Sequence, residues 1–128
     1  MASLDTNCLL RWFLDDIPAQ CQRVEALLDG QETISVDDVA IIEAIFAMEH
    51  TLKLTRPTIR GLIDAIMTRR IVMNRPLWQQ ILDLWADHPK LSVVDIYLTV
   101  KASETRCGPL YTFDAKMVSQ LPDAVQVP

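Results

Sequence analysis

Glycine is scarce in this chain, with three in 128 residues, and nothing in it reads as a linker, a repeat or a low-complexity tract. The seven prolines are scattered at plausible element boundaries, so one continuous domain over residues 1–128 is expected. There is no excess of positive charge. The formal net charge is -5 and the pI is near 4.8, which excludes nucleic-acid binding by bulk charge alone. A nuclease is not excluded, because a metal ion can supply charge that the chain lacks. Cysteine is sparse. Cys8, Cys21 and Cys107 show no CxxC or other zinc spacing, and an odd number suits no closed disulfide framework. Free thiols in a reducing compartment are expected. No apolar run reaches the length of a membrane span, and MASLDT carries no basic region leading into an apolar stretch. A cytoplasmic protein with no membrane association is the expectation.

What is present is an alternation of short β-rich bursts and helical stripes. Strands are expected at Ala2 to Leu4, Thr33 to Val36, Ile71 to Met73, Leu110 to Thr112 and Val125 to Val127. Helices are expected from about Asn7 to Leu14, then after Pro18 to a stop at Gly30, with Val24, Leu27 and Leu28 on one face. Asp37 or Asp38 caps VAIIEAIFAMEH. Ile59, Leu62, Ile63, Ile66 and Met67 mark a helix after Pro57. Asn74 opens one that carries Trp78, Ile81, Leu82 and Trp85, Ser92 caps SVVDIYLTVKASE, and Asp114 starts a short one. Alternating strands and helices imply βαβ units and a mainly parallel sheet covered by helices on both faces. In such folds ligands gather at the carboxyl ends of strands.

Four acids stand in apolar surroundings. Glu43 is the only charge in VAIIEAIFAM, Asp95 the only charge in LSVVDIYLTV, Asp5 closes a short apolar lead-in, and Asp114 closes LYTF. Burying isolated carboxylates is costly without compensation. Asp5 and Asp114 also have a plain reading as helix N-caps, and Ser92 with Asp95 as a capping box. Glu43, in mid-helix, has no cap role. Taken together, the four suit convergence on one hard cation with oxygen ligands, Mg²⁺ or Mn²⁺.

The motifs LDTN, VAIIE, SVVD and YTFD, in that order over essentially the whole chain, resemble those of PIN-domain ribonucleases, in particular the VapC-type toxins of bacterial toxin–antitoxin pairs. The resemblance implies a three-layer α/β/α sandwich with a short-stranded, mainly parallel central sheet. By motif match it implies that Asp5, Glu43, Asp95 and Asp114 bind Mg²⁺ or Mn²⁺ and carry catalysis, and that Asn7, Ser92 and Thr112 support them. It further implies endonucleolytic cleavage of RNA, a homodimer, and a cognate antitoxin protein as inhibitor.

Lys53, Arg56, Arg60, Arg69, Arg70 and Arg75 gather half of the twelve basic residues into a short segment. A solvated charged face and a phosphate-binding rim, with Lys53, Arg56 and Arg60 touching RNA, both fit. His50 and His88 read as surface or helix-end residues. Trp78 and Trp85 read as core; Trp12 reads as core before it reads as a base-stacking residue. The rival functional class is a non-catalytic interaction protein that uses the same fold to bind a partner chain. Sensitivity of RNA cleavage to EDTA separates the two. A phosphotransfer domain is a weaker third reading, because its late lysine and partner acid pair cannot be placed.

Overall fold

The computed structural model describes all residues, Met1–Pro128, and the chain divides into two compact units, Met1–Asn74 and Arg75–Pro128. The fold class is α/β, as expected, and every strand pairing is parallel.

The first unit runs β1 (Ala2–Leu4), α1 (Thr6–Leu14), α2 (Pro18–Asp29), β2 (Ile34–Val36), α3 (Asp38–Phe46), a π-helical turn (Ala47–Thr51), α4 (Arg56–Met67) and β3 (Ile71–Val72). Its three strands order as β1-β2-β3. Ala2, Ser3 and Leu4 stand beside Ile34, Ser35 and Val36, and Ile34 and Ser35 beside Ile71 and Val72. Each strand-to-helix turn is closed by an aspartate. The extended backbone of Asp5 lets its carboxylate take the Cys8 N–H, and Asp37 takes the Val39 N–H in the same way. The core is aliphatic, with Leu9, Ile34, Ile41, Ile45, Met48, Ile59, Ile63 and Ile66 almost wholly removed from solvent. Helix α1 packs against α2 and α3.

The second unit runs α5 (Arg75–Asp87), α6 (Val93–Glu104), β4 (Leu110–Thr112), α7 (Ala115–Gln120) and β5 (Ala124–Gln126). Strands β4 and β5 pair with Leu110 beside Ala124, Tyr111 beside Val125 and Thr112 beside Gln126. Trp78, Ile81, Leu82 and Trp85 form the buried stripe of α5, as their helical spacing predicts. Tyr97 of α6 stacks on Trp78 with ring centroids 5.9 Å apart. His88, just past α5, is half-buried, and its Nδ1 lies 3.1 Å from Oε1 of Gln120 in α7.

Most element positions match the sequence reading to within a residue or two. Two differ for stated reasons. Leu27, expected on the buried face of α2 with Val24 and Leu28, is 47% exposed because it lines a cavity instead of the core. The helix that begins at Asp38 widens after Phe46, where the Leu52 N–H bonds the Ala47 carbonyl five residues back at 3.0 Å.

Burial in α4 gives a direct check. Ile63→Ala should cost about 2–5 kcal/mol through lost transfer energy and the cavity left behind. Asp64→Ala, one residue on, removes only an exposed pair with Arg60 and should cost less than about 0.5 kcal/mol. Urea unfolding of both variants measures the contrast; equal losses would mean that α4 does not face the core through Ile63.

Candidate functional site

Asp5 lies where the parallel-sheet rule places functional residues, at the carboxyl end of β1. Its Oδ1 accepts the Cys8 N–H at 2.8 Å, and the Cys8 thiol and the Asn7 N–H also donate to this carboxylate. The Cys8 backbone bond, with help from the Cys8 thiol, holds the Asp5 carboxyl below the usual carboxylate range, against a smaller opposing push from desolvation. Asp5 is therefore ionised at neutral pH. The neighbouring Cys8 thiol is pushed up, first by burial and then by the Asp5 charge, which keeps it protonated and unreactive.

Asp5 and Asn7 line a cavity of about 540 Å³ together with Cys8 and Arg11 of α1 and Gln20, Arg23, Val24, Ala26 and Leu27 of α2. The α2 residues Gln20, Arg23, Val24 and Leu27 fall at i, i+3, i+4 and i+7, one stripe of the helix, and so share one wall. Glu43, the second candidate acid of this unit, is exposed on α3, and its side chain makes no hydrogen bond or ion pair.

In the second unit Ser92 and Asp95 form a reciprocal capping box. The Asp95 N–H donates to Ser92 Oγ at 3.1 Å, and the Ser92 N–H donates to Asp95 Oδ2 at 3.3 Å. Asp114 caps α7 by accepting the Lys116 and Met117 N–H groups on Oδ1 at 2.9 and 3.4 Å. Thr112 Oγ1 accepts the Asp114 N–H at 3.0 Å, so Thr112 positions this acid through its backbone.

The idea that the four acids are buried needs correction. Asp5 and Glu43 are exposed, and Asp95 and Asp114 are half-buried. Apolar neighbours in sequence do not bury a helical side chain that points away from them. The cap readings of Asp5, Asp95 and Asp114 hold, yet Asp95 and Asp114 each use one carboxylate oxygen and leave the other without a hydrogen bond. A carboxylate has acceptor capacity for both tasks. The donor set, four carboxylates, fits a hard divalent cation in chemistry. No group of three or more His, Cys, Asp or Glu side chains stands together as a metal-holding cluster.

The basic segment is largely committed inside the protein. Arg56 pairs with Glu49 at 2.8 Å, Arg60 with Asp64 at 3.4 Å, and Arg69 with Glu25 at 2.7 Å and Asp29 at 2.6 Å. Arg70 donates to the Gly30 carbonyl at 2.8 Å. Lys53 is exposed and unpaired. Trp12 is half-buried; its Nε1 donates to Glu25 Oε1 at 3.1 Å, which occupies its polar edge within the fold.

The sequence reading passed over Arg11 and Arg23, the two cations beside Asp5. The signal was available for Arg11, the only charge in CLLRWFL, by the same criterion that singled out the acids. Comparison with protein-family models and with curated proteins returns no match to the chain.

The Asp5 cap carries a pH signature. Its pKa in the folded chain lies below the unfolded value of about 3.9, so its contribution is present above that value and disappears as pH falls through the folded pKa. Wild type should therefore lose stability relative to Asp5→Asn as the pH is lowered below about 4. Urea unfolding of both proteins across the acid range tests it. A difference between the two that stays constant with pH would show that the Cys8 N–H does not favour the charged form.

Proposed function

We propose that the chain is a metal-dependent endoribonuclease of the PIN type, acting as the toxin of a toxin–antitoxin pair. The observation that carries the reading is the ionised Asp5 carboxylate at the carboxyl end of β1, which lines a cavity with Asn7. Asp95 and Asp114 support it, since the first lies in the first turn of α6, the second caps α7, and each keeps one oxygen free. In this account Asp5, Glu43, Asp95 and Asp114 would hold Mg²⁺ or Mn²⁺. When bound, such an ion polarises a phosphodiester and lowers the pKa of water for attack on phosphorus.

The chain's own residues set the terms of that chemistry. The Cys8 N–H keeps Asp5 ionised and aimed, and Thr112 Oγ1 fixes the turn that presents Asp114. Asn7 lines the cavity two residues beyond Asp5, with an amide that can donate to a substrate oxygen or to the carboxylate. RNA is the substrate, a homodimer the assembly, the cytoplasm the location, and a small antitoxin protein the inhibitor. No helix is long and apolar enough to cross a membrane. Of the cations first assigned to RNA, Lys53 is the one that carries no ion pair, whereas Arg56 and Arg60 would have to leave carboxylate partners.

One observation favours the rival reading of a non-catalytic interaction protein. Val39 and Phe46 are both more than half exposed and fall seven residues apart on α3, which leaves an apolar stripe beside Glu43, and no acidic cluster accompanies it.

The purified chain should cleave RNA in Mg²⁺ or Mn²⁺ and stop in EDTA. Asp5→Asn and Asp114→Asn should each lower the rate at least about 100-fold, the upper range for loss of a metal-site partner. Expression of wild type alone should slow growth, and expression of Asp5→Asn should not. RNA left intact by wild type in both metals, or cut equally by wild type and the two variants, would contradict the enzyme and favour the interaction protein.

A further inference from the structure

The cavity between α1 and α2 contains more positive charge than its one acid needs. Arg11 and Arg23 both line it, and neither pairs with Asp5. Arg23 is exposed, with no hydrogen bond or ion pair at all. Arg11 is only 20% exposed; its Nη1 reaches Asp16 Oδ2 at 3.2 Å, while its Nε is buried without any acceptor. A buried guanidinium N–H left open is costly, and native proteins rarely tolerate one without a use for it. The two arginines come from neighbouring helices and line the same cavity.

We propose that this cavity is a phosphate subsite, in which Arg11 and Arg23 hold one phosphate of a single-stranded RNA beside Asp5. The inference rests on the nuclease reading for its choice of RNA over other phosphates. A guanidinium presents donors in a planar fork that matches two phosphate oxygens, and the exposed, unpaired Arg23 has that fork available. The volume, about 540 Å³, is of the size that takes a small ligand or one nucleotide. Val24, Ala26 and Leu27 form an apolar wall against which a sugar or base can rest. The subsite also answers the charge problem posed by the composition. An acidic chain attracts RNA here through two local cations, whereas most arginines of the segment 53–75 are already held by internal partners.

The test uses the full-length protein in EDTA, so that RNA is bound and not cut, with a short fluorescent single-stranded RNA followed by anisotropy over a salt series. Arg23→Gln and Arg11→Gln should each weaken binding about tenfold, as expected for loss of a charged hydrogen bond. Each should also flatten the salt dependence by about 0.7 in the log–log slope, the value for one phosphate on a single strand. Asp5→Asn should bind at least as tightly as wild type. Inorganic phosphate should compete with the RNA on wild type and lose that effect on the Arg11→Gln, Arg23→Gln double variant. Wild-type affinity and slope in Arg23→Gln, which alters an exposed and unpaired side chain and so leaves the fold intact, would overturn the subsite. Phosphate binding that depends on the arginines, with RNA binding unchanged, would overturn the RNA assignment and leave a free-phosphate site. Repeating the cleavage assay separates this inference from the function beneath it. RNA held through the arginines but never cut refutes the nuclease alone, and Asp5-dependent cutting with unchanged arginine variants refutes the subsite alone.

Discussion

The chain depends on how its strand ends become helix starts. Strands β1, β2 and β4 each run into a helix within one or two residues, too short a turn for the first helical N–H groups to find loop carbonyls. An aspartate carboxylate takes them each time, at Asp5, Asp37 and Asp114. This solution puts negative charge at helix N-termini, where the backbone dipole favours it. It also lines the carboxyl edges of the strands with carboxyl groups. Asp5 and Asp114 follow from that arrangement as candidate ligands, and Asp95 reaches a similar state through its box with Ser92.

The same ordering of charge governs the cations. Arg69 joins Glu25 and Asp29 of α2 to the end of α4, and Trp12 adds a bond to the same Glu25 carboxylate. The Arg69 guanidinium is the main reason that Glu25 lies below the usual carboxylate range. Because Glu25 is partly exposed, that pair is screened and contributes modestly to stability. Its larger effect is to withdraw Arg69 from any role with phosphate. Arg23 is exposed and carries no such pair, and Arg11, which pairs with Asp16, lines the same cavity.

The helices were legible because their signals are local. A Pro at the first turn, a Ser or Asp cap and the 3.6-residue spacing of Trp78, Ile81, Leu82 and Trp85 are all written within a few residues. The strands, two or three residues long, were legible as short β-rich bursts between helical stripes. What the sequence concealed was direction. Glu43 sits in an apolar run and yet points to solvent, because a helix buries one side whatever its average hydropathy. Leu27 reads as core and lines a cavity. The pairing of Arg69 with Glu25 spans 44 residues and leaves no local trace, so paired and available arginines look alike in the sequence. Arg23, in an ordinary polar stretch of α2, gave no signal at all.

The central proposal is that carboxylates doing the work of helix caps also bind a divalent cation. Calorimetric titration of Mn²⁺ into wild type, Asp5→Asn and Asp114→Asn tests it most directly, because it requires no RNA and no knowledge of the cleavage sequence. The account predicts binding of Mn²⁺ to wild type that either substitution removes or severely weakens. Wild type without measurable Mn²⁺ binding, or two variants that bind as wild type does, would mean that these aspartates are caps and nothing more.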